Sequence, residues 1–525
     1  MSQPLHSNRQ IARATATVML ALVVSQLASL AYSILAANTF DAASELDPFL
    51  AANRPAETLF VLLAGGALGS AFIPTFTAYM AKGERKSAWR LASAIGNWIL
   101  ILLSGLAALA AVFAPQVVRY GLAPAFAADP AKFTLTVDLL RIQMISTVLF
   151  GLGGLLVGIL NSQQVFLYSA LAPAMYRLGL IFGILALAPS MGIYGLAWGV
   201  VIGAALYLLI QVPALLKQKG TYTATFGYRD AAVGEVIRLM GPRLLGVAVV
   251  QLNFWVNTWL GSRWEGAVTG LSIGFTMFLM AQAVIAQSAA TAAMPTFAAQ
   301  YALGKLDEIR SGLAATLRGV LLLSLPASLG LILLRGPIVT FIYQRGEFTA
   351  QTAELVSWAL LWYAAGLVGH SVYEVLARTF YALHDTKTPV LVGVLAMSLN
   401  VALSFGLSAW FERIGWLPHG GLALANSLAT ALEAVILLLL IRRRLEGIEG
   451  SSVARGLGAA ALATLGMAAA LLVWIQITGS DPAAVTALGG VALGGFVYLV
   501  ALALLRVPEF QTASRWIMRW IRRAR

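Results

Sequence analysis

The chain has 525 residues, 59% of them apolar and 11% charged, with a mean hydropathy of +0.82. Soluble domains carry about 25% charge, so an ordinary water-soluble globule is excluded, and the absence of cysteine excludes disulfides, thiolate metal sites and cysteine nucleophiles. The net charge of +13 is spread along the chain in a way that points to a lipid boundary, not to nucleic acid.

A bilayer crossing needs about 20 apolar residues. That rule predicts fourteen spans, over 12–38, 48–80, 88–114, 135–160, 164–188, 190–215, 236–261, 267–294, 313–343, 353–381, 389–411, 418–441, 455–477 and 483–506. The fold class is therefore an all-α polytopic membrane protein. The first apolar run is too long for the core of a signal peptide and reads as a retained helix. Of the Lys and Arg residues, 25 fall on the even-numbered loops and the termini, 6 on the odd-numbered loops and 4 inside spans. This bias predicts a multi-pass membrane protein with both termini in the cytoplasm. The tail from Arg515 to Arg525, with Trp516 and Trp520, is expected to lie as a basic amphipathic segment on anionic membrane lipids.

Residues 74–83 read PTFTAYMAKG and residues 295–304 read PTFAAQYALG, with six matches at an offset of 221. Each closes a span, the second and the eighth, and the even separation gives both copies one orientation. That is a parallel repeat of the kind that forms two related lobes. It predicts six-helix lobes over 1–222 and 223–445 around a central cavity, followed by two further spans and the basic tail over 446–525. Such an arrangement implies alternating access, so a transporter is the leading class.

No enzyme chemistry stands out. There is no P-loop string and no H-E-x-x-H, and four histidines at 6, 370, 384 and 419 form no metal cluster. The Gly151, Gly153, Gly154 and Gly158 group lacks phosphate-loop spacing and reads as close helix packing, as does Gly65-x-x-x-Gly69. Ionisable residues inside spans are the informative feature, because each costs a few kcal/mol unless it meets water or a partner. Arg54 and Glu57 share a helix face at i,i+3 in the second span, with Pro55 between them and Asp47 just before it. Arg177 falls in the fifth span and Arg243 in the seventh; Arg54 and Arg177 are the stronger cavity candidates. Glu374 and Arg378 read as an ion pair at i,i+4, Arg141 as a snorkelling end, and His370 as a packed histidine. Glu433 lies in the twelfth span. An arginine-lined cavity suits an anionic substrate, since guanidinium engages phosphate oxygens bidentately.

Several strings, namely GGALGSAFIPTF (65–76), LMGPRLLGVAVVQLNFWVNT (239–258), AMPTFAAQYALGKLDEIR (293–310), IYQRGEFTA (342–350) and ARTFYALHDTKTPV (377–390), resemble the MurJ/MviN family, collinearly over about residues 11–445. The resemblance implies membership of the multidrug/oligosaccharidyl-lipid/polysaccharide exporter superfamily, with two six-helix lobes and two extra helices. It implies flipping of lipid II, the undecaprenyl-pyrophosphate-linked peptidoglycan precursor, to the outer leaflet. It also implies a tail groove built by the helices over 455–506, no cofactor, coupling to membrane potential or an ion gradient, and cell-wall synthesis proteins as partners. Asp47 and Arg54 match an acidic and a basic position of the family, and Arg177 stands where asparagine is more usual. The family's first-span pattern S-R-x-x-G-x-x-R-[DE] corresponds here to Ser25-Gln26-Leu27-Ala28-Ser29-Leu30-Ala31-Tyr32-Ser33, so both arginines and the acid are replaced. The eighth-span arginine position is Thr276. The candidate cavity residues are thus Gln26, Asp47, Arg54, Glu57, Arg177, Arg243 and Thr276. Three readings follow: lipid II flipping with a rearranged cationic site; a divergent paralogue exporting another polyprenyl-linked glycan or a less charged amphiphile; or a non-transporting membrane partner that keeps the fold.

Overall fold

The computed structural model describes residues 4–62 and 68–511, and the side chains of all of these except 4–20, 22, 68–71, 239, 241–243 and 245–246. The expected lipid-binding tail at Arg515–Arg525 and Gly65 lie outside the described residues, as does the side chain of Arg243. Every regular element among the described residues is helical. In chain order the main helices are α1 (Pro4–Thr39), α2 (Asp47–Phe60), α3 (Leu68–Ala81), α4 (Arg85–Val112), α5 (Pro130–Ser162), α6 (Phe166–Phe182), α7 (Ile193–Leu209) and α8 (Ala231–Gly261). There follow α9 (Ala267–Gln282), α10 (Ser288–Ala302), α11 (Leu306–Tyr343), α12 (Ala350–Ala365), α13 (Leu367–Ala382), α14 (Lys387–Arg413), α15 (His419–Arg444), α16 (Gly450–Thr478) and α17 (Ala483–Leu504).

By length and apolarity ten of the described helices can cross a membrane, or up to twelve if each of two bent pairs counts as one span. The expectation was fourteen. One bent pair, Val23–Thr39 with Ala42–Phe60, turns through 115°. The seventh expected span is α8, whose first turns hold Glu235 and Arg238. The expected second span runs through 63–67, outside the described residues.

The chain packs as two compact units, Met1–Thr269 with Gly346–Phe348, and Gly270–Arg345 with Thr349–Arg525. The partition into 1–222, 223–445 and 446–525 follows the internal repeat. Packing density instead groups α8 with the first unit, because α8 lies against α2, α3 and α4. The repeat has a local structural counterpart. A π-helical turn occupies Ala283–Gln287 ahead of the internal Pro295, and Val61 and Leu62, ahead of Pro74, are also π-helical.

Helix ends in the first unit follow local chemistry. Asp129 caps α5 by accepting from the amides of Ala131 at 2.9 Å and Lys132 at 3.3 Å, with Pro130 at the first helical position. One core is built from α1, α2, α5 and α7 around Phe40, Phe49, Leu139 and Leu196; a second is built from α3, α4 and α5 around Phe72, Phe76 and Leu91. The α5 glycines are packing positions, as their spacing suggested: a Cβ on Gly151 would meet Leu103, and one on Gly153 would meet Tyr207. The extended stretch before α8 is strapped to α4, with Asn97 Nδ2 donating to the Thr225 carbonyl at 2.8 Å and Trp98 Nε1 to that of Phe226 at 3.0 Å.

α6 and α7 touch backbone to backbone. A Cβ on Gly179 would stand 2.2 Å from the Gly203 Cα, so no side chain fits there without parting the helices. Gly179→Val is expected to cost about 1–3 kcal/mol through overpacking, read as a lower unfolding temperature in detergent; an unchanged temperature would contradict this packing.

In the second unit, the aromatic cluster Trp358, Trp362, Phe411 and Trp416 brings together α12, α14 and the turn before α15. Arg318 on α11 meets Glu509 at 2.6 Å and also donates to Ser452, fastening α16 and the stretch after α17 to α11. The specific D-T-x-T string is a helix-start device. Asp385 accepts from the Thr388 amide at 3.0 Å and the Thr388 hydroxyl at 2.8 Å, and receives the Arg444 guanidinium. Burial works against its charge, but these hydrogen bonds and the Arg444 charge outweigh it and hold the carboxyl below its ordinary value of 3.8. The stabilisation is present above the unfolded value and is lost as pH falls through the lowered folded one. Asp385→Asn is expected to cost about 1 kcal/mol at neutral pH. That difference should disappear in strong acid, which pH-resolved thermal melts of both proteins would show; a gap that persists in strong acid would contradict the assignment.

Candidate functional site

The charged residues expected to face a cavity separate into a cluster, a buried anchor and outlying positions. The cluster belongs to the first unit and is carried by α1, α2, α6 and α8. On α2, Arg54 Nη1 meets Glu57 Oε2 at 3.0 Å, the i,i+3 pairing that the spacing predicts. Arg54 Nε donates to Thr258 Oγ1 at 3.2 Å, and the guanidinium carbon lies 5.5 Å from the centre of the Phe254 ring, both on α8. One turn on from Arg54, Thr58 Oγ1 accepts from Trp255 Nε1 at 2.8 Å and from Gln251 Nε2 at 3.4 Å. Four side chains of α8 therefore set the polar face of α2, holding Arg54 at 18% exposure while Glu57 keeps 46%.

Arg177 reaches the same region from α6. Its guanidinium carbon lies 5.4 Å from the Tyr32 ring of α1 and 5.3 Å from the Tyr176 ring, a clamp of two aromatic faces. Arg177 makes no ion pair among the described residues. The charges of Arg177 and Glu57 both act on Tyr32 and on Tyr176, which places the carboxylate and the second guanidinium in one electrostatic neighbourhood. The cluster thus holds two guanidinium groups against one carboxylate. Arg54 is balanced by Glu57; Arg177 is held by π-faces that do not cancel its charge.

Asp47 is fully buried and anchors the start of α2. One carboxylate oxygen accepts from the Gly266 amide at 2.9 Å; the other accepts from the Thr269 amide and the Thr269 hydroxyl, each at 2.8 Å. Lys132 Nζ stands 3.9 Å away and also lies 4.3 Å from the Phe126 ring. Every oxygen of Asp47 is therefore engaged by the protein.

The other candidates do not join the cluster's hydrogen bonds. Gln26 is exposed on α1. Thr276 belongs to the second unit, where its hydroxyl donates back to the Ser272 carbonyl at 2.8 Å, the usual habit of a mid-helix threonine. Arg141 pairs with Asp138 at 3.5 Å, and Arg378 pairs with Glu374 at 2.7 Å. His370 is packed, its ring 4.8 Å from that of Phe278 and its Nε2 3.1 Å from Asn426 Oδ1. Tyr32, Tyr176, Phe254 and Thr258 were not read from sequence. Tyr176 adjoins Arg177, and Tyr32 takes the place of the second arginine in the family's first-span pattern; the α8 residues carry no such signal.

Cationic and carboxylate side chains held within a bundle of apolar helices mark a functional site in a membrane protein. A solved multidrug resistance transporter of the MATE family in its inward-facing state superposes with a TM-score of 0.66 at 15% identity, over 82% of this chain and 98% of that one. A solved lipid II flippase MurJ in an inward closed conformation superposes with a TM-score of 0.79 at 22% identity, over 93% and 98%. The family described as lipid II flippase MurJ matches residues 36–488, and the chain belongs to that family. Relatives include a probable lipid II flippase MurJ of Vibrio cholerae, 29% identical over 94% of this chain and 96% of that protein. The lipid II flippase MurJ of Burkholderia cenocepacia is 28% identical over 82% and 84%.

Proposed function

We propose that this protein moves lipid II from the cytoplasmic to the outer leaflet by alternating access, with Arg54 and Arg177 receiving the pyrophosphate of the head group. The observation that carries the reading is the place of Arg177. Its guanidinium stacks on Tyr32, the residue standing where the family pattern has an arginine. The charge is supplied from α6 to a position that the pattern serves from α1. A guanidinium within a span with no carboxylate partner costs about 2.5–3.5 kcal/mol or more, a cost that an incoming anion offsets. At about 4 Å and an effective dielectric constant near 20, one charge pair is worth about 4 kcal/mol. Glu57 keeps Arg54 from being a second uncompensated charge, and Asp47 anchors the start of the helix that carries both.

The family and the relatives' names support the lipid; the charge bias along the chain supports cytoplasmic termini and a seat in the bacterial inner membrane. Coupling to membrane potential or an ion gradient, a tail groove along α16 and α17, and contacts with anionic lipids and cell-wall synthesis proteins belong to the same reading.

The experiment is rescue of a bacterium depleted of its own lipid II flippase, with membrane insertion of this protein measured in parallel. Growth is expected with the native chain and not with Arg54→Ala. Correct insertion without growth would favour export of another polyprenyl-linked glycan or a non-transporting partner.

A further inference from the structure

Glu433 lies near the middle of α15 at 3% exposure, in the second unit, and takes no part in the transport site described above. Among the described residues no ion pair or hydrogen bond engages its carboxylate. Its surroundings are apolar: Leu437 and Val392 are buried close by along α15 and α14, with Ile436 partly buried beside them. α14 makes room for it with a glycine, since a methyl group on Gly393 would stand 3.1 Å from Glu433 Oε1.

The charged neighbours are few, and each is accounted for. On α13, Tyr373 is the titratable side chain that feels Glu433. Beyond it, Arg378 is satisfied by Glu374 at 2.7 Å and by Thr291 Oγ1 at 2.5 Å, and His370 is bound to Asn426. On α14, Lys387 stands at one end and Glu412 and Arg413 at the other; on α12, Glu354 sits in the second turn; on α15 itself, Arg442 to Arg444 form the last turn. None of these charged groups is ion-paired or hydrogen-bonded to Glu433 among the described residues.

An ionised carboxylate in such a place loses its hydration and gains no cation, at a cost of several kcal/mol. The neutral acid loses far less. We propose that Glu433 is a proton-binding site of the second unit: it carries a proton in the arrangement described here and gives it to water when a rearrangement of α13, α14 and α15 opens the site. Uptake and release move one proton between the carboxyl oxygen and water, with no other bond changed. Glu374, Arg378 and Tyr381 recur at i, i+4 and i+7 along α13 toward its Ala382 end, which gives the side from which water would enter in this proposal.

The test does not depend on lipid transport. The purified protein in lipid is compared with Glu433→Gln by infrared difference spectroscopy, and the native protein is treated with dicyclohexylcarbodiimide, which modifies protonated carboxyls in apolar surroundings. The expected results are a carboxylic-acid carbonyl band, shifted in heavy water and lost in Glu433→Gln, and a carbodiimide adduct on the peptide holding Glu433. Because glutamine copies the shape and neutrality of the acid, the variant is expected to melt at the native temperature. A spectrum that loses only ionised-carboxylate bands, an unmodified Glu433 peptide in the native protein, or a marked destabilisation by Glu433→Gln would overturn the proposal.

Discussion

Arg177→Ala is expected to weaken lipid II binding by about tenfold to a hundredfold, from loss of a charge-assisted hydrogen bond worth about 1.5–3 kcal/mol. Membrane insertion should be unchanged. Among the described residues the side chain makes no ion pair that its removal would orphan, so the loss falls on the ligand and not on the fold. Arg177→Lys should recover part of the binding, because the charge persists while the planar fork and the stacking on Tyr32 and Tyr176 are lost. Arg54→Ala is a less clean variant, because it also releases Glu57 and Thr258. Lipid II titrations of the purified proteins measure both effects. Equal affinity of native protein and Arg177→Ala would remove this residue from the site.

Asp47→Ala is expected to be the most destabilising single change in the first unit, by about 3–5 kcal/mol. It leaves the Gly266 and Thr269 amides without acceptors in a fully buried place and strands Lys132 beside them. Each orphaned amide alone costs about 1–3 kcal/mol. Asp47→Asn keeps one acceptor oxygen and should fall between alanine and native. Thermal unfolding of detergent-solubilised protein separates the three. Ranking asparagine with native would mean that hydrogen bonding, and not the Lys132 attraction, does the holding; an alanine variant as stable as native would contradict the geometry of this anchor.

The two acidic and basic residues of α2 show what sequence can and cannot convey. Arg54 and Glu57 pair as their i,i+3 spacing predicts, because helical geometry alone brings such positions together. Asp47 matches an acidic family position, but what it holds needed the fold. Its hydrogen-bond partners Gly266 and Thr269 lie more than two hundred positions along the chain, and two of its hydrogen bonds come from backbone amides, which no residue identity announces. The same holds for Thr258 on Arg54 and for the Trp255–Thr58 bond. The glycines of α5 were legible as packing positions because small residues in an apolar helix have few other uses. The glycine contacts between α6 and α7 went unread, since the sequence does not say which helices are neighbours. The motif Asp385 was recognised as part of a family string, yet its capping role appeared only with Thr388 and Arg444 in place. Span number was the least legible quantity. The 49° bend between α12 and α13 falls inside the run 353–381 that composition reads as one span, whereas the 115° turn between α1 and α2 falls between two expected spans.

The central claim is that a cation has moved from the first span to the fifth while serving the same ligand. The most direct measurement is lipid II translocation in proteoliposomes by three proteins: native, Arg177→Asn, and Arg177→Asn combined with Tyr32→Arg. The account predicts transport by the native chain, loss in Arg177→Asn, and recovery when the arginine is returned to position 32. Full transport by Arg177→Asn, or no recovery in a correctly inserted double variant, would contradict it.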